Sequence, residues 1–118
     1  MTAVAYKLLD RQEWDAARVL GSYAGSGVDR ADGYIHMSTA EQVGETARRH
    51  YAGREALVLV EIDLDAVGSA LKWEASRGGA LFPHLYGPLP VSAARRERGL
   101  SVDADGAMWF DDGQLAWV

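Results

Sequence analysis

The sequence predicts an α+β fold, a small single domain over residues 1–118 with a mainly antiparallel sheet and two helices. Three observations carry that expectation. The run ALVLVEIDL at positions 56–64 is apolar at first and then alternates into Asp63 and Asp65, as a central strand does. Two segments, one after Asp10 and one after Ser38, pair a helix-start signal with apolar residues at helical spacing. Elsewhere, glycines and three prolines punctuate short extended runs and forbid a long helix. Helices laid against an antiparallel sheet are the simplest way to bury all of these apolar faces together.

Taken in order, Ala3 to Leu9 form an apolar, β-compatible run. Asp10 and Glu13 then stand at the spacing of a capping box, ahead of a helix that carries Trp14, Ala17 and Leu20 and stops near Gly21. The stretch GSYAGSGVDRADG at 21–33 has no hydrophobic period and reads as a long loop of the kind that covers or lines a site. Tyr34 to Met37 make a short strand. Ser38 or Thr39 caps the next helix, with Glu41 or Gln42 three positions on; Val43, Ala47 and Tyr51 share one of its faces, and Gly53 ends it. After the central strand, Leu71 to Glu74 make another short one. ASRGGALFPHLYGPLP at 75–90 is expected to be a structured loop with a few extended residues. The run VSAARRERGL at 91–100 is compatible with helix or strand. AMWFDDGQLAWV at 107–118 is a hairpin turning at Asp112-Gly113, with Trp109, Phe110 and Trp117 as packing anchors.

Composition bounds the function. The chain has 118 residues, 48% of them hydrophobic and 25% charged, and a net charge of -5, which argues against wrapping duplex nucleic acid by counterion release. There is no cysteine, so disulfides and thiolate metal sites are excluded. The first fifteen residues hold no basic head with a long apolar run, and no stretch approaches the roughly 20 apolar residues a membrane span requires; a soluble cytoplasmic protein is expected.

His36 is the first candidate for chemistry. An imidazole donates at one nitrogen and accepts at the other, and a strand-to-helix junction places it beside free backbone N–H groups. A hydrogen-bonded structural histidine is the simpler alternative. The second cluster is LKWEASRGGALFPHLYGPL at 71–89, which gathers Trp73, Glu74, Arg77, His84 and Tyr86. Arg77 has the planar fork that clamps a phosphate or carboxylate, and Gly78 and Gly79 would let the chain turn beneath the bound group; pairing of Arg77 with Glu74 is the competing reading. Trp73 and Tyr86 offer flat faces for a ring, or belong to the core. Glu74 could orient an imidazole, or act as a base if burial raised its pKa; pairing with Lys72 or Arg77 is the plainer role. His84, held between Pro83 and Leu85, suits a site or a loop staple equally well.

Metal, nucleophile and nucleotide-loop motifs are missing. His36, His50 and His84 show no HxH or HExxH spacing, so no metal is assigned to them, and His50 sits near a helix end where an imidazolium meets the dipole. Ser38 lacks a nucleophile elbow, and no P-loop or G-x-G-x-x-G fingerprint is present. The ARRER run is interrupted by Glu97 and reads as a solvated face.

Together, DGYIHMSTAEQV, LVLVEID, LKWEASRGGALFPHLYGPL and DADG resemble the bacterial domain-of-unknown-function family 952 over nearly the whole chain. The most specific pieces are the I-H-x-S run at Ile35 to Ser38 and the runs from Trp73 to Gly79 and Phe82 to Gly87. The resemblance implies an ADP-ribosyltransferase-like fold, a split sheet with a cleft that holds NAD in active relatives, and it implies a strand for the 91–100 run. It also implies that His36 and Ser38 look like a pair that helps orient the nicotinamide ribose. No second-strand tyrosine and no late glutamate match the pattern of those transferases. The expected function is therefore a cleft for a nucleotide-like or phosphate-bearing small molecule. His36, Glu74 and His84 are its candidate catalytic groups, with Ser38, Trp73, Arg77, Gly78 and Tyr86 as candidate ligand contacts. NAD is the possible donor for a group-transfer reaction. Acid-base chemistry on a small metabolite without NAD, or a non-catalytic sensing module, are the alternatives.

Overall fold

The computed structural model describes residues 3–116, the side chain of Arg77 excepted. The elements run β1 (Val4–Asp10), α1 (Arg11–Leu20), β2 (Ser22–Tyr23), α2 (Gly27–Asp32), β3 (Ile35–His36), α3 (Ala40–His50), β4 (Leu57–Asp63), β5 (Leu71–Ala75), β6 (Leu81–Leu85), β7 (Leu89–Pro90), β8 (Ala94–Val102) and β9 (Met108–Phe110). All strand pairings among the described residues are antiparallel. One sheet has the order β1-β4-β8-β9, a second β3-β6-β5, and β2 pairs with β7. The architecture is a small α+β domain with mostly antiparallel sheets and three helices, and its Cα radius of gyration of 13.3 Å is that of a compact chain of this length.

β4 explains itself. Val58, Val60 and Ile62 join one apolar cluster with Trp14, Ile35 and Leu85, while Leu57 and Leu59 join another with Val43, Ala47 and Phe110. Both faces of the strand are covered, which is why its apolar run does not alternate. α1 lays Trp14 and Ala17 on the first cluster, but Leu20 is exposed, and α3 lays Val43 and Ala47 on the second.

Several local expectations are corrected. The segment 21–33 holds β2 and α2 and so adds a third helix. Periodicity could not show this, because a single six-residue turn has no repeat; its sign is the box Ser26-x-x-Asp29, whose two reciprocal bonds start the helix. Gly25 (φ 102°) makes the tight entry, since a Cβ there would come within 2.8 Å of the Asp29 Cβ. Asp10 does begin α1, but it makes no side-chain cap; its carboxylate takes Arg54 at 2.5 Å instead. Thr39, not Ser38, caps α3, in a box with Gln42.

The 75–90 stretch contains β6, a central strand rather than a loop. Pro83 is tolerated there because its carbonyl accepts from Met37 at 3.1 Å on the side where β3 has already ended, so no ladder bond calls for the missing N–H. The 91–100 run is strand from Ala94, pairing with both β4 and β9. The terminal hairpin turns through Gly113 (φ 88°), with Trp109 facing Leu115. Phe110 is buried as an anchor, Trp109 is half-exposed with its Nε1 on Asp103 at 3.0 Å, and Trp117 lies outside the described residues.

Candidate functional site

Two residues decide where the cleft opens. His36 pairs with His84 in the three-stranded sheet, and two residues later Ser38 pairs with Tyr6 at the edge of the four-stranded one, N–H to carbonyl in both directions at 2.7 and 2.9 Å. The chain thus leaves one sheet and joins the other within the I-H-x-S run. Beside this seam lies a cavity of about 700 Å³, a volume within the range of small-molecule sites. Lys7, Asp29, Asp32, His36, Ser38 and His84 are among the side chains that line it.

The floor is a buried polar chain. Asp29, from α2, is 2% exposed and accepts five bonds: from the Ser26 backbone N–H (2.9 Å) and hydroxyl (3.1 Å), from the His36 backbone N–H (3.0 Å), from His36 Nδ1 (2.6 Å) and from Lys7 Nζ (3.0 Å). Burial alone would raise its carboxyl, but the His36 bond, the Lys7 charge and the two backbone N–H groups outweigh that and hold it well below the usual carboxylate range. Lys7 is itself 6% exposed, and burial pushes its ammonium down against the opposing pull of Asp29. The other ring nitrogen of His36, Nε2, meets Asp32 Oδ2 at 2.9 Å, and Asp32 is half-exposed. A carboxylate therefore stands at each of the two ring nitrogens of His36.

His84 forms the facing pair. Its ring centroid is 5.7 Å from that of His36, and its Nδ1 meets Glu74 Oε1 at 2.9 Å, an oxygen that also accepts from the Tyr86 hydroxyl at 2.7 Å. The Tyr86 and His84 bonds lower Glu74, and the same carboxylate pushes the Tyr86 hydroxyl up to about 12. The Glu74 carboxyl is thus lowered, rather than raised by burial, and its oxygen meets His84 Nδ1. Tyr34 packs against both imidazoles, at 4.6 Å from His36 and stacked at 4.2 Å on His84.

The sequence-derived candidates divide accordingly. His36, Ser38 and His84 meet in the cavity, and Glu74 and Tyr86 reach it through His84. Ser38 is buried, and its hydroxyl lies 3.0 Å from that of Thr46. Trp73 does not come to the cavity: strand alternation puts it opposite Pro83, on the other face of β5 from Glu74, and 46% exposed. Gly78 takes φ 69° on an open turn with nothing near it. The side chain of Arg77 is outside the described residues; Ser76, Phe82 and His84 line the cavity from the back half of the chain. Sequence reasoning missed Lys7, Asp29, Asp32 and Tyr34. Lys7 could have been found as a charge inside an apolar strand, and Asp29 through its capping box. No helix among the described residues is long and apolar enough to cross a membrane.

An α+β domain whose two sheets part at an I-H-x-S seam, with carboxylate-held histidines in the gap, defines the class. The family model described as Protein of unknown function (DUF952) matches residues 8–96, and this chain belongs to that family. The crystal structure of the Caulobacter crescentus protein CC0527 is 53% identical, covering 90% of this chain and 93% of that one, with a TM-score of 0.85. A double mutant of the same protein gives 52% identity, the same coverage and the same TM-score. Its solution NMR structure gives 54% identity over 87% and 89% of the two chains, with a TM-score of 0.76. No curated protein matches the chain.

Proposed function

We propose that the cleft binds a nucleotide-like small molecule and that His36 is the group that orients a ligand hydroxyl or moves its proton. The observation that carries this reading is the 2.6 Å contact between His36 Nδ1 and buried Asp29 at the edge of a cavity of about 700 Å³. A carboxylate fixed behind an imidazole sets its orientation and supports charge on the ring, as acid-base work requires. Group transfer from NAD or a related donor is the first reaction class to examine. The parting of two antiparallel sheets beside His36 and Ser38 supports an ADP-ribosyltransferase-like reading, by analogy of fold alone.

A second reading follows from the distance between the two imidazoles. At 5.7 Å, His36 and His84, each held by its own carboxylate, could act as an acid-base pair on a small metabolite without NAD. Calorimetry with NAD, ADP-ribose and inorganic phosphate, on the wild type and on His36→Ala, tests the site. Loss of a charged-group hydrogen bond should weaken binding by about tenfold or more. Equal affinity in the two proteins refutes the pocket. Release of nicotinamide on incubation with NAD separates transfer from a binding role.

A further inference from the structure

With Nδ1 of His36 committed to buried Asp29, Nε2 is the ring nitrogen that remains for a ligand, and Asp32 already stands on it at 2.9 Å. The two partners differ in kind. Asp29 is enclosed, whereas Asp32 closes α2 immediately before Gly33 (φ 88°) and has a side chain 47% exposed. His36 is one third exposed at the same place. A ligand can therefore reach this imidazole and carboxylate together, and it cannot use one without meeting the other.

That adjacency sets a chemical requirement. A phosphate or carboxylate brought to Nε2 would face the Asp32 charge at hydrogen-bond distance, which is unfavourable. The other fixed cations lining the cavity do not relieve this, since Lys7 is held by Asp29 and Arg54 by Asp10. A neutral hydroxyl has no such conflict, because it can donate to the carboxylate and can either accept from or donate to Nε2, whichever the ring presents. Two neighbouring hydroxyls satisfy both groups without parting them.

We infer that Asp32 is a specificity-determining residue, pairing with His36 to select a ligand with a vicinal diol and to reject an anionic group at that point. This rests on the reading of the cleft as a ligand site. It deepens that reading by naming Asp32 as the residue that keeps an anionic group away from the hydroxyl site at His36.

The test is calorimetry with adenosine, 2′-deoxyadenosine, 3′-deoxyadenosine and inorganic phosphate on the wild type, Asp32→Asn, Asp32→Ala and His36→Ala. The wild type should bind adenosine more tightly than either deoxy compound, by about tenfold for one lost hydrogen bond to a charged group. Asp32→Ala should lose most of that preference and gain affinity for phosphate, and Asp32→Asn should fall between the two. Circular dichroism confirms that each variant is folded. Unchanged discrimination in Asp32→Ala, tighter binding of every probe in that variant, or no diol-dependent binding by the wild type would each overturn the inference. If His36→Ala weakens binding and Asp32→Ala does not, only the role of Asp32 fails; if neither does, the cleft reading fails with it.

Discussion

β4 and β6 each occupy the middle of a sheet, yet they are built for opposite ends. β4 is buried without a break from Leu57 to Ile62, and its one buried acid, Glu61, is matched by Arg96 at 2.6 Å and by the Tyr6 hydroxyl at 3.1 Å. β6 carries a proline and a histidine in its centre, is flanked by a two-residue strand on one side, and faces the cavity with Phe82 and His84. The first strand secures the domain through area removed from water; the second gives up ladder and apolar contact to hold an imidazole at an opening. Their division of labour is why substitutions in the two sheets should have separable effects.

The largest expected effect on stability is at β4. Leu59→Ala, at a fully buried position, should cost about 3–5 kcal/mol in urea denaturation through lost transfer energy and a cavity, while leaving ligand affinity of the folded fraction unaltered. A smaller loss would mean that the four-stranded sheet is not the main source of stability. Next comes the cleft floor. Asp29→Ala strands the Lys7 ammonium in a buried setting and should cost about 3 kcal/mol. Lys7→Met with Asp29→Asn should cost less than the sum of the two single changes, by about 1–3 kcal/mol of coupling. Strict additivity would show that the two groups are not a pair in solution.

A subtler distinction lies in acid. Asp29 titrates below the usual range in the folded protein, so below that range the unfolded chain holds more protons than the folded one. Its contribution is complete above about pH 4 and is withdrawn as pH falls from there through the folded value. The stability of Asp29→Asn, followed by thermal melting between neutral and acid pH, should therefore decline less steeply at the acid end than that of the wild type. An identical acid slope would assign the loss to other carboxylates. The smallest effect is expected at Trp73→Ala, on the far face of β5: within about 0.5 kcal/mol in stability, and no change in calorimetric affinity. A weakened ligand would return Trp73 to the site.

Much of this was legible along the chain, for reasons particular to each residue. Ile35 to Ser38 announces itself because a histidine between a strand and a capped helix has few arrangements open to it, and Thr39 with Gln42 completes that cap. His84 and Glu74 were visible as a dense local cluster. Their bond was not, because it spans the β5–β6 pairing and depends on register. Asp29 was hidden within what read as loop, since a helix of six residues leaves no period to detect.

By itself the sequence determined the local matters: the apolar run of β4, the amphipathic faces of α1 and α3, the glycine stops and the histidine at the strand end. Each of these depends on neighbours within a few positions. Only the tertiary structure decided that Lys7, Asp29 and His36 form one hydrogen-bonded chain and that His36 lies against His84. Those groups are separated by up to 77 positions (84 − 7), and their energies depend on burial and on which charge lies across the gap. Desolvation and Coulomb interaction act through space, so the order of residues along the chain cannot report them until the sheets have closed.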